Sequence, residues 1–309
     1  MDSAAMEPEG GWPAHLELVR TRHGRVLIPR ADVYVGRSLR LYGEWCPSEW
    51  RLLSQILRPG DVAVDGGANI GAHALPMARA VGPKGRVYAV EPQPVLAQAL
   101  GATAALNGLS QLHVAPAGLS DAPGWTDFPP VNYAAEMNFG GLSLARAAQA
   151  AQARDGPGRR DGTRRVPLLP LDELLALTRL RLLKLDIEGM EVAALRGARA
   201  TLARTRPFLY IECDHPPAAE RLLPLLADLG YEGWWHAARL FDPENWRGAA
   251  ENVFGNAACV NLLAAPRGAA VKGLTRAVDV ASHPRARARA AGRDADLALS
   301  ETSSAGAVT

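Results

Sequence analysis

Short apolar runs that alternate with helix-forming stretches dominate the pattern of residues 61–264. Five of these runs predict buried strands, and a sixth strand is predicted near the end of the region; the bounds are 61–65, 86–91, 111–115, 181–186, 207–212 and 258–264. Helices are predicted between them, including one that starts near His73 and one over 218–229. Strands that alternate with helices form a mainly parallel sheet with helices on both faces. The pattern therefore predicts an α/β domain over 61–264.

Residues 1–60 form a predicted N-terminal extension to this domain. Residues 1–11 have the composition of a loose leader. The segments 16–20 and 25–28 flank His23-Gly24 and predict a β-hairpin. An entry helix is expected from Pro47 to about residue 57, because proline suits the first turn of a helix.

Two other regions break the alternation. Residues 122–165 form an insertion with a helix-forming segment over 145–153 and a glycine-rich loop over 155–162. This insertion is either a lid over the substrate or a loop without a function of its own. Residues 265–309 are rich in alanine, arginine and glycine and have no apolar periodicity, which predicts a disordered tail. Its basic run at 285–289 is either solvated or contacts RNA or lipid.

Composition and charge narrow the class of protein. The chain has 309 residues, 48% of them hydrophobic, and a net charge of +2, which by itself argues neither for nor against a nucleic-acid partner. Residues 265–309 have seven basic and four acidic side chains, so residues 1–264 have a net charge of about −1 and no nucleic-acid partner is expected. The three cysteines are odd in number and lack metal-site spacing, which favours a reducing compartment. No signal peptide and no membrane span are evident. We therefore expect a cytoplasmic enzyme or binding protein.

The most informative motif is the glycine-rich turn that follows the first core strand. Gly67 and Gly71 allow the backbone to approach a ligand, and Glu91 ends the next strand, where an ionised carboxylate can accept both hydroxyls of a ribose. Asp65 precedes the turn and would repel a pyrophosphate, but it suits the ammonium of an amino acid. A ribose and an amino-acid end together describe S-adenosylmethionine. Without Asp65 the turn would also fit a nicotinamide dinucleotide.

Polar residues follow the fourth and fifth strands, whose carboxyl ends form the ligand edge of a parallel sheet. Asp186 and Glu188 are predicted to face the cofactor or the acceptor, and His215 is the candidate base, since a free histidine titrates near neutral pH. Alternatively, Lys184 and Glu188 form a structural ion pair, or His215 only opens a loop. A magnesium site on Asp186, Glu188, Glu212 and His215 is a further alternative, although no metal ligand is assigned.

Aromatic residues are concentrated between positions 234 and 246, beyond the predicted fifth strand. They include Trp234, Trp235 and Trp246. They form either a wall for a sugar or flat acceptor, or ordinary core packing.

With these motifs in place, the chain resembles the FkbM family of S-adenosylmethionine-dependent methyltransferases over about residues 15–265. The resemblance rests on Tyr42-Gly43-Glu44-Trp45 with Glu49, the turn 65–71, Val90-Glu91-Pro92, Leu119-Ser120-Asp121, Leu171-Asp172-Glu173-Leu174, the block 184–191 and Asn261-Leu262-Leu263. Gly66 departs from the aliphatic residue usual in the turn, and 145–165 has no counterpart. The resemblance implies a Rossmann-like class I methyltransferase fold, with a seven-stranded sheet whose last strand is antiparallel.

The resemblance also implies a set of cofactor residues and a type of acceptor. The cofactor set is Asp65, Gly67, Asn69, Gly71, Glu91, Ser120 and Asp121, with the last two beside adenine. In such families the methyl acceptor is usually a hydroxyl on a sugar, lipid or polyketide-like metabolite. We therefore expect an O-methyltransferase acting on a small molecule or glycan. The alternatives are a nicotinamide-dependent oxidoreductase, disfavoured by Asp65 and by the lack of a Lys/Tyr pair at helical spacing, and a non-catalytic cofactor-binding protein.

Overall fold

A computed structural model describes residues 13–144 and 163–293 of the chain. These residues form nine α-helices, numbered α1 to α9, over Val35–Leu41, Pro47–Ile56, Ala74–Val81, Pro94–Leu106, Leu171–Leu174, Glu191–Arg196, Arg199–Thr205, Pro216–Asp228 and Pro284–Ala290. The entry helix and the helices predicted near His73 and over 218–229 are confirmed as α2, α3 and α8. Pro76 lies in the first turn of α3, where its missing N–H breaks no helical hydrogen bond.

Thirteen β-strands, numbered β1 to β13, lie in the same two described ranges. Their bounds are Leu16–Thr21, Gly24–Pro29, Val62–Gly66, Arg86–Val90, Leu112–Ala115, Gly118–Leu119, Gly124–Phe128, Arg164–Leu169, Leu182–Leu185, Phe208–Glu212, Tyr231–Arg239, Ala258–Pro266 and Thr275–Ala277. Strands β1 and β2 form the predicted hairpin. No helix in the described ranges has the length and apolar character needed to cross a membrane.

The central sheet has eight strands in the order β13-β11-β12-β10-β9-β3-β4-β5. Neighbours from β10 to β5 are parallel, and β12 runs antiparallel between β10 and β11. The α/β class and the antiparallel last core strand are thus confirmed. The expected count of seven strands is one too few, because β13 adds an antiparallel edge strand beside β11.

Side chains on successive strand positions enter two hydrophobic cores, one on each face of the sheet. Leu182 and Tyr210 pack in one core, whereas their neighbours along the chain, Leu183 and Leu209, pack in the other. Because neighbouring residues of a strand point to opposite faces, a continuous apolar run indicates a strand buried on both sides. The N-terminal extension belongs to the first of these cores, since Ile28 and Leu53 are fully buried in it.

The described part of the insertion contains more structure than a loop. Strands β6, β8 and β7 form a separate three-stranded sheet, in which β7 pairs antiparallel with β8. The helix expected over 145–153 and the loop over 155–162 lie outside the described residues, as does the leader at 1–11.

The prediction of a disordered tail is wrong for residues 267–293. This segment contributes β13, a 3₁₀ turn at Val280–Ser282 and α9. His283 is completely buried, and its Nε2–H donates to the Cys213 carbonyl at 2.8 Å while Trp235 contacts the ring edge-on. Few apolar residues anchor the segment, so hydrophobic periodicity could not reveal it. Residues 294–309 lie outside the described chain.

Candidate functional site

A cavity opens at the edge of the sheet where the parallel strands end. The glycine turn after β3, the ends of β4, β9 and β10, and the start of β12 all contribute to its walls. Its polar lining includes Asp65, Asn69, His73, Glu91, Gln93, Asn138, Lys184, Asp186, Glu188, Glu212, Asp214 and Asn261. Ligands bind at this edge in doubly wound sheets, as the sequence predicted.

The glycine turn contributes Gly67 and Asn69 to the cavity, but not Gly71. Gly67 has a φ of +76°, and a Cβ there would lie 1.8 Å from the Asp186 carbonyl oxygen, so glycine is required for close packing against the end of β9. Gly71 has a φ of +88°, and a Cβ there would lie 2.3 Å from Leu100 of α4. Gly71 thus packs against α4 and does not line the cavity, so the structure gives no support to the predicted ligand contact there.

Asn69 and Glu91 form a polar pair on one wall of the cavity. Asn69 has a left-handed backbone, and its N–H donates to Glu91 Oε2 at 2.8 Å, while the Gln93 N–H donates to Oε1 at 2.8 Å. Burial raises the pKa of Glu91 to about 7 despite these two donors. Asn69 Oδ1 is a buried acceptor without a hydrogen-bond partner in the described chain. This wall therefore suits a polar ligand that supplies hydrogen-bond donors.

Lys184 joins two acidic residues at the floor of the cavity. Its Nζ lies 3.4 Å from Asp65 Oδ1 and donates to Asp186 Oδ2 at 3.1 Å. Burial alone would lower the pKa of Lys184, but Asp186 and Asp65 outweigh it and raise that pKa. Asp65 is only 1% exposed. Its cationic partner in this structure is thus Lys184, and the expected contact of Asp65 with a ligand ammonium is not supported.

Asp186, Glu188 and Glu212 form a carboxylate cluster, with one oxygen of each within 4.8 Å of the others. Burial opposes ionisation of Asp186, but Lys184 holds the pKa of Asp186 below its usual range. Burial, together with Asp186 and Glu188, raises the pKa of Glu212 well above its usual range. The pKa values of Asp186 and Glu212 are thus shifted in opposite directions, so Glu212 holds a proton more strongly than Asp186, and such a pair can accept and pass on a proton.

His215 does not join this cluster. It is the residue before α8, it is exposed, and it is absent from the cavity lining. The chain turns outward there to start the helix, so the ring leaves the edge that its position in the sequence suggested. The geometry therefore gives no support to His215 as the base or as a magnesium ligand. Asp214 takes its place on the wall, where Arg285 of α9 binds both its carbonyl and its carboxylate.

Ser120 and Asp121 also lie away from the cavity. The Ser120 N–H donates to the Leu169 carbonyl at 3.0 Å and joins the small sheet, whereas Asp121 is exposed. The wall is formed instead by the preceding residues, Ala117, Gly118 and Leu119. The motif predicted the right segment, but pairing with β8 keeps Ser120 buried outside the cavity and leaves Asp121 exposed.

The structure adds polar residues that the sequence left without a role. His73 and Asn261 line the cavity, and Asn261 donates to Glu49 Oε1 at 3.0 Å. Glu49 and Asn261 stand in motifs of the family resemblance, which is the only signal that could have found them. The insertion also contributes Asn138 and Gly140–Leu142 to the wall, and Ser143 Oγ donates to the Glu188 carbonyl at 2.6 Å.

The aromatic residues at 234–246 do not form a cavity wall. Trp234 and Trp235 belong to β11, a strand that the sequence did not predict, and are 7% and 3% exposed. Trp246 is 40% exposed but lies outside the lining. Core packing thus explains the two buried tryptophans.

A family model described as the methyltransferase FkbM domain matches residues 65–232, which is more than half of the chain. The matched stretch contains the glycine turn, Glu91 and the carboxylate cluster. No curated protein matches the chain.

Several solved structures are similar to this one. A methyltransferase FkbM from Methylobacillus flagellatus is 18% identical with a TM-score of 0.39, and the match covers 75% of this chain but only 55% of that protein. Trm5b from Pyrococcus abyssi is 11% identical with a TM-score of 0.43, over 82% of this chain and 57% of that one. Aeropyrum pernix fibrillarin, solved with S-adenosyl-L-methionine, is 12% identical with a TM-score of 0.38, over 83% and 85% of the two chains.

Proposed function

Since the chain belongs to the FkbM family of S-adenosylmethionine-dependent methyltransferases, we propose that it transfers a methyl group to a hydroxyl of a small molecule or glycan. Its sheet has the class I methyltransferase architecture, with an antiparallel strand inserted beside the last parallel one. The observation that carries the proposal is the carboxylate cluster, because it places three neighbouring acids, two of them with pKa values shifted in opposite directions, in the same cavity as Glu91.

The residues present fit the cofactor at one end of the cavity. Glu91 would accept the ribose hydroxyls, because it lines the cavity and each of its oxygens, which already accepts one backbone N–H, can accept a second hydrogen bond. Asn69 Oδ1 is a buried acceptor in need of a donor. The apolar side chain of Leu119 would pack against the adenine, in place of the expected Ser120 and Asp121.

The other end would hold the acceptor. When bound, S-adenosylmethionine supplies a methyl group on a sulfonium, whose leaving group needs no proton. The protein has two tasks, which are to orient the acceptor hydroxyl and to remove its proton. Asp186 carries the negative charge that accepts this proton, and Lys184 fixes the orientation of its carboxylate. Asp65 also lines the cavity, and it helps to hold Lys184, whose Nζ lies 3.4 Å from Asp65 Oδ1.

The cofactor half of the proposal is tested by calorimetry. The full chain is titrated with S-adenosylmethionine, S-adenosylhomocysteine and NAD, and Glu91→Gln is titrated in parallel. We expect the first two ligands to bind, NAD to fail, and Glu91→Gln to lose affinity. Binding of NAD alone would refute the cofactor assignment.

The acceptor half is tested by turnover. Hydroxylated sugars and hydroxylated small molecules are incubated with labelled S-adenosylmethionine, and the labelled product is examined by NMR. A methyl ether is the expected linkage, whereas transfer to nitrogen or carbon would contradict O-methylation while leaving the cofactor assignment intact. Asp186→Asn should lower this turnover with a smaller change in cofactor affinity.

A further inference from the structure

Two cysteines and a glutamate from distant parts of the chain meet beside the cavity. Cys46 precedes α2, Glu49 lies in the first turn of that helix, and Cys259 is the second residue of β12. One ligand atom from each lies within 4.8 Å of the other two. Both thiols are free, and Cys46 is completely buried. The cysteine spacing gave no sign of this cluster, because only the fold brings β12 to the entry helix.

A buried imidazole points to a ligand at this cluster. His73 has a side chain that is 6% exposed, and its Nε2 lies 3.2 Å from Glu49 Oε2. That nitrogen nevertheless has no hydrogen-bond partner in the described chain. Leaving a buried polar atom unpaired costs about 1–3 kcal/mol, so its orientation toward the cluster requires an explanation.

The glutamate is also held in place from the other side. Asn261 donates to Glu49 Oε1 at 3.0 Å, so the carboxylate lies between an amide and an imidazole. Metal-binding residues are oriented by polar neighbours of this kind. Cys259 and Asn261 line the cavity, so the cluster is reached from the site described above.

We propose that Cys46, Glu49 and Cys259 bind a divalent transition-metal ion, with zinc as the best match, and that His73 supports the metal-bound Glu49. Two thiolates and one carboxylate are ligands typical of zinc, whereas magnesium and calcium take oxygen ligands only. Three protein ligands would leave a fourth position for water or substrate, as in catalytic zinc sites. Of the three, Cys259 lines the cavity, so the ion would be reached from that side. Each thiol loses its proton as its sulfur binds the metal.

This site differs from the carboxylate cluster in both position and chemistry. Asp186, Glu188 and Glu212 offer oxygen alone and would select a hard cation. Zinc binding by the thiol site does not depend on the methyl-transfer proposal, so the two can fail separately.

The test uses the full, untagged chain, reduced and freed of metal with a chelator. The protein is dialysed against zinc, and the bound zinc is measured by atomic absorption. In a second measurement cobalt replaces zinc, because cobalt bound to thiolates shows a sulfur-to-metal charge-transfer absorption. We expect one zinc per wild-type chain. Cys46→Ser and Cys259→Ser should each weaken binding by more than about 100-fold, and His73→Gln by about 10- to 100-fold.

Cys213→Ser is the matched control. Cys213 is the third cysteine of the chain, is also buried, and lies outside the cluster, so this variant should bind zinc like the wild type. The folding of each variant is checked by its metal-free melting curve. If a serine variant does not fold, the wild type is alkylated with and without zinc, and zinc should slow the alkylation of Cys259, the only one of the three cysteines that is partly exposed.

Three results would overturn the proposal. The first is a wild-type chain that binds no zinc after reduction. The second is unchanged zinc binding in the Cys46→Ser/Cys259→Ser double variant. The third is zinc binding that survives the cysteine changes but disappears in Glu212→Gln, which would assign the ion to the carboxylate cluster.

Discussion

Replacing Arg285 by alanine tests whether the C-terminal segment holds the candidate site together. The guanidinium lies between α9 and the sheet edge, where its side chain is only 11% exposed. Its Nε donates to the Asp214 carbonyl at 2.8 Å, and Nη2 donates to the Ala258 carbonyl at 2.7 Å. Nη2 also lies 3.3 Å from the Asp214 carboxylate, which lines the cavity.

The expected loss follows from these contacts. Removing one partner of a fully buried ion pair costs about 3–5 kcal/mol, because the remaining charge is left without compensation. The Asp214 side chain keeps 20% exposure, so water recovers part of this cost. We therefore expect Arg285→Ala to lower the free energy of unfolding by about 2–4 kcal/mol, a large fraction of the stability of a typical domain.

Urea denaturation of the full chain measures this loss, with the m-value as a check that both variants unfold over the same surface. Arg289→Ala is the control, because Arg289 lies on the same helix but is exposed, and its loss should stay within about 0.5 kcal/mol. A loss below about 0.5 kcal/mol in Arg285→Ala would show that α9 does not hold the sheet edge.

Three further results are expected. Burial raises the pKa of Glu91 to about 7, so the native state keeps a proton that the unfolded state loses near pH 4.5. The stability of the wild type should therefore fall as the pH rises between these two values. Denaturation curves measured at several pH values should show this fall in the wild type and not in Glu91→Gln. Gly67→Ala should lower the melting temperature far more than Gly82→Ala. Both glycines have positive φ, but only a Cβ at position 67 would clash with backbone atoms. Equal losses in the two variants would show that this clash does not matter. Asp186→Asn should lower turnover at least about tenfold while His215→Ala stays within about twofold, and a large loss in His215→Ala would restore that residue as the base.

The hydrophobic pattern of the sequence was sufficient to predict the strands of the parallel half of the sheet. Strands buried on both faces leave long apolar runs, and the turns between them require glycine and proline at fixed positions. The glycine turn and Glu91 could also be identified from the sequence. Close backbone packing requires glycine in the turn, and Glu91 follows directly after an apolar strand. The family resemblance extended this to the antiparallel last strand.

Only the tertiary structure decided which polar residues at the sheet edge face the cavity. Whether a residue after a strand faces the cavity depends on where the next helix starts. For this reason Asp214 lies on the cavity wall, whereas His215, one residue later, does not. Ser120 left the site in the same way, through pairing with a strand that follows the insertion.

The sequence by itself determined the fold class, the family, and the place of the glycine turn and Glu91 at the sheet edge, because these depend on contacts close in the chain or on motifs. The tertiary structure decided everything that required distant segments to meet. Cys46 reaches Cys259, and Arg285 reaches Asp214, only after β12 has inserted into the sheet and the C-terminal segment has covered its edge. A few polar contacts hold these segments, and such contacts leave no periodic signal in the sequence.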